Sequence, residues 1–255
     1  MKKSINLYFA GSKLQKEKIK AIKEAGFDEI FCGVGDATAD LSLRDIVKYA
    51  NSLGLGCTMI HCAYDNNKVQ YFWDEGEIGD EVCEDYCNQI RKCQGLTDNF
   101  VVHLNTYSSQ KESEIGLLRI KKMLDVCKEC NVNLCVENLC SATEIPYIFK
   151  HIKHDKLKIC FDSGHQHFIT PNFDVLGKYS NYVTVLHLHD NHGNADEHMP
   201  CGQGTVDWQK VAQGLKLIPN LVLSSEVKSG REDIDKKYLA TVYQGLNMVE
   251  KLITE

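Results

Sequence analysis

Short runs of apolar and β-branched residues alternate along the chain with longer segments whose apolar positions repeat at helical spacing. This alternation is typical of repeated βα units around a parallel sheet. Eight strand and helix pairs fit the pattern. The predicted strands cover 5–9, 28–32, 56–61, 100–104, 132–137, 158–162, 182–189 and 221–226. The predicted helices cover 13–25, 42–53, 78–94, 112–130, 142–152, 172–179, 207–216 and 232–252.

Glycines mark several of the boundaries between these segments. Gly26 follows the first predicted helix, Gly54 follows the second, and Gly95 ends the third. Because 255 residues is close to the length that eight βα units require, we expect one (β/α)8 TIM barrel of the α/β class, with residues 1–255 as a single domain. The longest irregular stretch, 191–206, follows the seventh strand, and loops of that length are often functional.

Composition and charge narrow the classes of partner. The formal net charge is −6, from 29 basic and 35 acidic residues, and only four residues are arginine. A surface that tracks nucleic acid needs clustered Arg and Lys, so the charge argues against a nucleic-acid partner. No apolar run approaches the ~20 residues of a membrane span, and the apolar stretch after the basic N-terminus is too short for a signal peptide.

The 12 cysteines are spread through apolar runs of a chain with an ordinary core, which favours reduced thiols and a cytoplasmic location over a disulfide framework. Cys127 and Cys130 form a CxxC pair late in the fourth predicted helix. They lie on its apolar stripe and no second CxxC accompanies them, so we interpret them as small hydrophobic residues.

Six predicted strands carry His, Glu or Asp at the C-terminal end. Since strand side chains alternate between faces, each of these residues shares a face with the residue two positions before it. The pairs are Met59 with His61, Val101 with His103, Cys135 with Glu137, Cys160 with Asp162, Val185 with His187, and Ser224 with Glu226. In a βα barrel, active sites are built at this end of the strands.

Each of these residues taken alone is more often a hydrogen-bonded core or rim residue than a ligand. Six at matching parity and depth instead favour a divalent-metal site, because a buried ring of acids and imidazoles needs a neutralising partner. Three further candidates lie in predicted loops, namely His165 after the sixth strand and Asp196 and His198 after the seventh. A set of imidazoles and carboxylates without thiolate suits zinc, manganese, cobalt or iron.

Three segments carry a likeness to a known family: VENL at 136–139, FDSGH at 161–165, and the stretch from HLHDNHG at 187–193 to GQG at 202–204. They resemble the xylose-isomerase-like TIM barrel superfamily, which holds sugar and sugar-phosphate isomerases and epimerases. Tagatose epimerase and hydroxypyruvate isomerase are examples. The superfamily also holds the endonuclease-IV-type apurinic endonucleases, known as AP endonuclease family 2. The likeness extends from the third strand to the eighth.

The resemblance implies a metal-ligand set in two tiers. The four ligands that hold one catalytic metal in the epimerases correspond to Glu137, Asp162, His187 and Glu226. The additional ligands of the three-zinc cluster in the endonuclease branch correspond to His61, His103, His165, Asp196 and His198. One to three divalent ions are therefore expected, with zinc as the first choice.

In the isomerase interpretation, a metal-dependent enzyme acts on a small sugar or sugar phosphate through an enediolate that the metal stabilises. Glu137 and Glu226 would flank the reacting carbon as base and acid. A carboxylate suits that task when burial or its neighbours bring its pKa toward the working pH.

Substrate contacts are expected from residues around the ligands. His165 would bind a substrate hydroxyl, His189 shares the inward face of its strand with His187, and Gly202 and Gly204 form a turn suited to the distal end of the substrate. Trp73 lies in an apolar cluster after the third strand, where it either packs beneath the loop or forms a substrate wall.

Two alternatives remain open. The nine filled ligand positions favour a multi-zinc phosphodiesterase of the endonuclease type. The acidic net charge weighs against a nucleic acid duplex as its substrate. We therefore prefer the small-sugar interpretation. A non-catalytic metal-binding barrel is the third class, and the presence of both acid-base glutamates argues against it. Homo-oligomers are compatible with the family type, although no residue of this sequence predicts one.

Overall fold

The computed structural model describes residues 1–11, 15–39, 41–109 and 111–255. Its eight strands within these ranges are Lys3–Asn6 (β1), Glu29–Gly33 (β2), Gly56–His61 (β3), Asn99–Val102 (β4), Asn133–Glu137 (β5), Leu157–Asp162 (β6), Val183–His187 (β7) and Leu223–Ser225 (β8). The α-helices of the same ranges are Gln15–Glu24 (α1), Leu43–Ser52 (α2), Asn66–Val69 (α3), Glu77–Cys93 (α4), Glu114–Cys130 (α5), Glu144–His151 (α6), Ser163–Phe168 (α7), Val175–Tyr179 (α8), Trp208–Leu215 (α9) and Lys236–Thr254 (α10).

The strands form a parallel barrel, as the sequence pattern predicts. Their order is β7-β6-β5-β4-β3-β2-β1-β8, so each strand pairs with its neighbours in sequence. The circle closes through a parallel bridge between Leu188, just after β7, and Ser225 of β8. Leu188 N donates a hydrogen bond to Ser224 O at 2.8 Å, and Glu226 N donates to Leu188 O at 3.1 Å. The C-terminal strand ends therefore face one mouth.

Two apolar clusters confirm the predicted alternation of strand faces. The inner cluster is formed by one side chain from each of six strands, namely Phe31, Met59, Val101, Cys135, Cys160 and Val185. Five of these are the residues predicted to share a face with a metal-capable side chain. The larger cluster fills the space between the strands and the surrounding helices, and it includes Cys127 and Cys130 as buried thiols.

Most element boundaries differ from the predicted ones by no more than four residues. The first two residues of the helix predicted at 13–25 lie outside the described residues. Two short helices, α3 and α7, were not predicted. His165 therefore lies in the first turn of a helix rather than in a loop, because the Asp162 carboxylate accepts a hydrogen bond from His165 N at 2.7 Å and caps α7.

Helices in the described ranges do not combine the length and the apolar character that crossing a bilayer requires.

Candidate metal centre

The barrel brings the six strand-end side chains together at its mouth. His61, Glu137, Asp162 and His187 are the last residues of their strands, while His103 and Glu226 directly follow β4 and β8. Five of the six are buried and His103 is half-buried. This convergence results from parallel strands of matched register, since all of them end at the same level of the barrel.

Glu137 lies at the centre of the cluster. Its Oε2 is 3.0 Å from His103 Nε2, 3.3 Å from His187 Nδ1 and 3.4 Å from His61 Nε2. Its Oε1 is 3.1 Å from His165 Nδ1. The single carboxylate of Glu137 thus faces four imidazoles and connects the candidate ligands around it.

Glu137, Asp162, His187 and Glu226 form a group of four, with one potential ligand atom from each lying within 4.8 Å of all the others. His187 Nδ1 is 3.3 Å from Glu137 Oε2, 3.3 Å from Glu226 Oε2 and 3.9 Å from Asp162 Oδ2. Three carboxylates so close to one another repel unless a positive charge lies between them.

The buried imidazole of His187 tests whether these residues fit a metal ion. Its exposed fraction is 0%, its Nε2 has no hydrogen-bond partner among the described residues, and its Nδ1 faces two carboxylate oxygens at 3.3 Å without forming a hydrogen bond of good geometry. A buried polar nitrogen without a partner is costly, and a cation that accepts the Nδ1 lone pair removes that cost. Mixed imidazole and carboxylate donors suit zinc, manganese, cobalt or iron. The residues fit a divalent ion.

Two outer groups flank this centre. On one side, His61 Nε2 lies 3.1 Å from His103 Nε2, and both face Glu137. On the other side, His198 Nε2 lies 3.0 Å from Asp196 Oδ2, whose carboxylate is also 3.5 Å from His165 Nε2. Every ligand position that the sequence suggested is therefore part of one connected cluster.

His189 joins the second outer group, where sequence reasoning had assigned it only a substrate contact. Its Nε2 lies 3.1 Å from Asp162 Oδ1 and 3.7 Å from Asp196 Oδ1, and its ring stacks on His198 at 4.2 Å between centroids. It belongs to two of the groups that could hold an ion, one with Asp162 and His165 and one with Asp196 and His198. The structure thus brings a tenth candidate ligand to the cluster.

His198 has an unusual backbone conformation, with φ at 50°. A residue with a side chain rarely adopts a left-handed conformation, and such strain is concentrated at functional sites. The ring is held by contacts of its Nδ1 with the Glu226 backbone carbonyl at 3.2 Å and of its Nε2 with Asp196.

Electrostatics keep both proposed acid-base glutamates ionised. Burial alone would raise the pKa of Glu137, but the charges of His187 and His103 hold that pKa well below its ordinary value. Burial acts in the same way on Glu226, and the charges of His187 and His198 lower its pKa. In the protein without an ion, the histidines thus hold both pKa values away from the working pH, and the expectation that the surroundings bring these values toward it stays a prediction for the metal-loaded site. Both groups are therefore carboxylates that can bind a cation.

Two aromatic residues that sequence reasoning missed complete the floor of the site. Tyr8 Oη donates a hydrogen bond to Glu226 Oε1 at 2.6 Å, and burial together with the Glu226 charge raises the pKa of Tyr8, so it remains a donor. Phe31 stacks on His187 with 5.3 Å between ring centroids. Extending the face alternation to the first two strands would have pointed to both residues.

Gly202 and Gly204, expected to contact the substrate, are used within the loop itself. Gly202 N donates to Asp190 Oδ2 at 2.8 Å, and a Cβ on Gly204 would lie 2.4 Å from Asn191 O. Neither is among the described residues that line the cavity over the metal centre. Asp190, which sequence reasoning did not single out, also accepts hydrogen bonds from Val206 N and Trp208 Nε1 and so organises this loop.

Trp73 packs beneath its loop, the first of the two roles considered for it. Only 2% of its surface is exposed, and its Nε1 donates to Glu144 Oε2 at 3.2 Å. Its ring lies against Gly116, where a Cβ would be 2.1 Å from it. It does not line the cavity over the metal centre in the described structure.

That cavity has a volume of about 600 Å³, which is within the range of sites that enclose a small molecule. Glu137, Glu226, His61 and His165 contribute to its floor, and Lys228 lies among its lining residues.

Sequence comparison finds distant relatives of undetermined activity. An uncharacterized protein y4fM of Sinorhizobium fredii is 31% identical over 96 residues, which cover 35% of this chain and 31% of that protein. An uncharacterized protein MJ1614 of Methanocaldococcus jannaschii is 24% identical over 135 residues, which cover 51% of this chain and 53% of that protein. The matches thus span about half of these curated relatives or less.

Comparison with solved structures finds the same fold over the whole chain. A D-psicose 3-epimerase from Clostridium cellulolyticum H10, crystallised with D-tagatose, superposes with a TM-score of 0.79 at 16% identity, covering 99% of both chains. An IolI protein with a bound zinc atom superposes with the same TM-score and identity over 100% of both chains.

The relatives and structures above are too distant to assign the chain to a family, but a family model does so. The model of the xylose isomerase-like TIM barrel matches residues 19–245, which is most of the sequence. The chain belongs to the xylose isomerase-like TIM barrel family.

Proposed function

We propose that this protein is a sugar isomerase or epimerase that depends on a divalent metal ion. The observation that carries the proposal is the arrangement of Glu137 and Glu226 on the buried His187, each with a carboxylate oxygen 3.3 Å from its Nδ1. The likeness of the fold to structures of a D-psicose 3-epimerase and of a zinc-bound IolI protein supports it.

Glu137, Asp162, His187 and Glu226 would hold the ion. When bound, it would supply electrophilic stabilisation to the carbonyl and neighbouring hydroxyl of a sugar. The outer groups around His61 and around Asp196 and His198 allow for one to three ions, with zinc as the first choice and manganese, cobalt or iron as alternatives.

The two glutamates would move the proton. Because both are carboxylates in the protein, either can remove a proton from the carbon beside the carbonyl. Delivery of that proton by the same glutamate to the neighbouring carbon would give isomerisation, while delivery of a proton to the opposite face by the other glutamate, after it takes one up from solvent, would give epimerisation. Tyr8 fixes the orientation of Glu226 through its hydrogen bond to Oε1. His165 and His189 lie beside the ligands and are proposed to contact substrate hydroxyls as well as an ion.

The variant Glu226→Gln tests this role directly. It keeps the shape and the hydrogen bond from Tyr8 but removes the base, so we expect the zinc-loaded protein to lose exchange of substrate hydrogen for solvent deuterium by at least ~10²-fold. Glu197→Gln is a suitable control, since Glu197 bonds to His192 in the loop after β7 and belongs to none of the ligand groups. Exchange at the wild-type rate in Glu226→Gln, with circular dichroism unchanged in both variants, would remove Glu226 from the mechanism.

The second candidate is a multi-zinc phosphodiesterase, which the two complete outer groups favour. The net charge of −6 and the acidic cluster weigh against a nucleic acid duplex as its substrate. Incubation with abasic duplex DNA distinguishes the two functions. Rapid strand cleavage that is lost in His198→Ala would replace the isomerase proposal.

A further inference from the structure

A second cavity of about 470 Å³ adjoins the cavity over the metal centre. The two share Tyr64, His103, His165 and Asp196 as lining residues, so the cluster of candidate ligands lies at their junction. The first cavity extends toward the loops after β1 and β2, and the second toward the loops after β3, β4 and β5. A ligand held at the junction can extend into either one.

Beyond the shared cluster of candidate ligands, the lining of the second cavity is polar and without charge. Its amide and aliphatic hydroxyl side chains are Asn66, Asn67, Gln70, Asn105, Thr106 and Ser108. Neither lysine nor arginine is among the described residues that line it, and its only carboxylate is Asp196. A phosphate group is bound in proteins by Arg, Lys or clustered backbone N–H groups, so this lining does not suit a phosphate.

Asn105 is a fixed hydrogen-bonding group in this lining. Its Nδ2 donates to the buried carboxyl of Glu144, and its Oδ1 accepts a hydrogen bond from Cys140 N at 3.2 Å. An amide has two donor hydrogens and two acceptor lone pairs, so one of each remains for a ligand. A preorganised donor and acceptor on one side chain match a hydroxyl group, which also donates and accepts.

Gln70 and Tyr64 also line the second cavity. Gln70 Nε2 donates to Asn67 O at 3.0 Å, which orients the amide and leaves its Oε1 without a partner among the described residues. The Tyr64 ring lies 4.3 Å from that of His103 and is 42% exposed, so one face is open to a ligand. Amides beside an exposed aromatic face suit the mixed polar and apolar surface of a polyhydroxylated chain or ring.

We propose that the second cavity binds the part of the substrate beyond its reacting carbons, and that this part is an uncharged polyhydroxylated group rather than a phosphate ester. This inference rests on the proposed sugar isomerase function and specifies its substrate class. Asn105 and Gln70 are the specificity-determining residues.

Binding and turnover of paired probes test the proposal. The D-ketohexoses and their 6-phosphates are titrated into the zinc-loaded protein by calorimetry, and deuterium exchange is measured on the same pairs. We expect the free sugars to bind at least ~10-fold more tightly than their phosphates and to show the higher kcat/KM. Equal or tighter binding of the phosphates would overturn the proposal.

The variant Gln70→Leu tests whether Gln70 contributes to the binding of the free sugar. We expect it to raise KM or Kd for the free sugar by about 5- to 10-fold, with kcat within about 2-fold, because it removes uniform binding. Lys111→Gln is the matched control, since Lys111 is exposed and lines a neighbouring cavity with Tyr107. Unchanged affinity in Gln70→Leu, or weakened affinity in Lys111→Gln, would contradict the assignment.

The two proposals fail in different ways. Absence of exchange in every sugar would refute the isomerase function, while the calorimetric preference and its dependence on Gln70 would still decide what the cavity binds. Exchange in the phosphates alone would uphold the function and refute the uncharged substrate.

Discussion

The contact between Gly164 and His189 offers a sharp test of the arrangement of the metal centre. Gly164 lies in the first turn of α7, and a Cβ placed on it would be 1.9 Å from His189 Cε1 and 2.4 Å from His189 Nδ1. Ordinary contact begins at 3.4 Å, so the substitution Gly164→Ala requires a displacement of about 3.4 − 1.9 = 1.5 Å.

His189 has little freedom to accommodate that displacement. Its ring is stacked on His198, and its Nε2 lies 3.1 Å from Asp162 Oδ1. Its backbone is held in place because its N–H donates a hydrogen bond to Ser163 Oγ at 3.0 Å. Overpacking of this kind costs about 1–3 kcal/mol, only part of which the better helix propensity of alanine offsets. For a chain of this size the melting temperature should fall by roughly 2–12 °C.

Thermal unfolding and zinc titration of Gly164→Ala measure the effect, with Gly35→Ala as control. A Cβ on Gly35 has no atom within 4 Å, so its melting temperature should change by no more than about 1–2 °C. Because Asp162 and His189 would be moved, we also expect weaker metal binding by about 10-fold or more. A Gly164→Ala protein with wild-type stability and wild-type zinc affinity would refute the placement of His189 in the cluster.

Two further predictions concern the scaffold of the site. Burial raises the pKa of Glu144 from 4.5 to about 8, so the stability that its neutral form contributes is complete below about pH 4.5 and is lost as the pH rises through 8. Glu144→Gln stays neutral at every pH. Its unfolding free energy, measured by denaturant titration, should therefore rise relative to that of wild type by up to roughly 1.4 kcal/mol per pH unit between pH 4.5 and 8. A difference between the two proteins that does not change with pH would contradict the ionisation of Glu144. Asp190→Ala should lower the unfolding free energy by about 3–5 kcal/mol, because Trp208 Nε1 and three backbone N–H groups lose their acceptor. Asp190→Asn should lose less, and equal losses in the two variants would show that hydrogen bonding is not the cause.

The barrel and the convergence of the candidate inner ligands were predictable because both depend on local periodicity. Alternation along a strand fixes which face a side chain shares, and parallel strands in register bring their C-terminal ends together. Met59, Cys135 and Cys160 lie in the inner cluster, as the positions of His61, Glu137 and Asp162 two residues later require.

The position of His189 depends on pairing between distant segments, and the sequence alone does not reveal it. β7 ends at His187, after which Leu188 pairs with Ser225 and Asp190 pairs with Met199. These bridges place the His189 ring beside Asp162 and His198. Alternation with His187 suggested that it faces inward but not which group it would join.

Residues distant in sequence also determine the role of Trp73 and the pKa of the two glutamates. The role of Trp73 depends on Glu144, which lies 71 residues further along the chain. The direction of the pKa shift of Glu137 depends on how many histidines surround it, and burial alone would have shifted it in the opposite direction. Neither a hydrogen bond across the fold nor a balance between burial and charge can be read from a local pattern.

Counting the metal ions bound by the purified protein tests the central claim most directly. The chain is stripped with a chelator, dialysed against zinc or manganese, freed of excess ion and analysed by elemental mass spectrometry. The ring around Glu137 and His187 predicts at least one tightly held divalent ion per chain and up to three. Protein that carries no ion as purified and binds neither zinc nor manganese on addition would contradict the account.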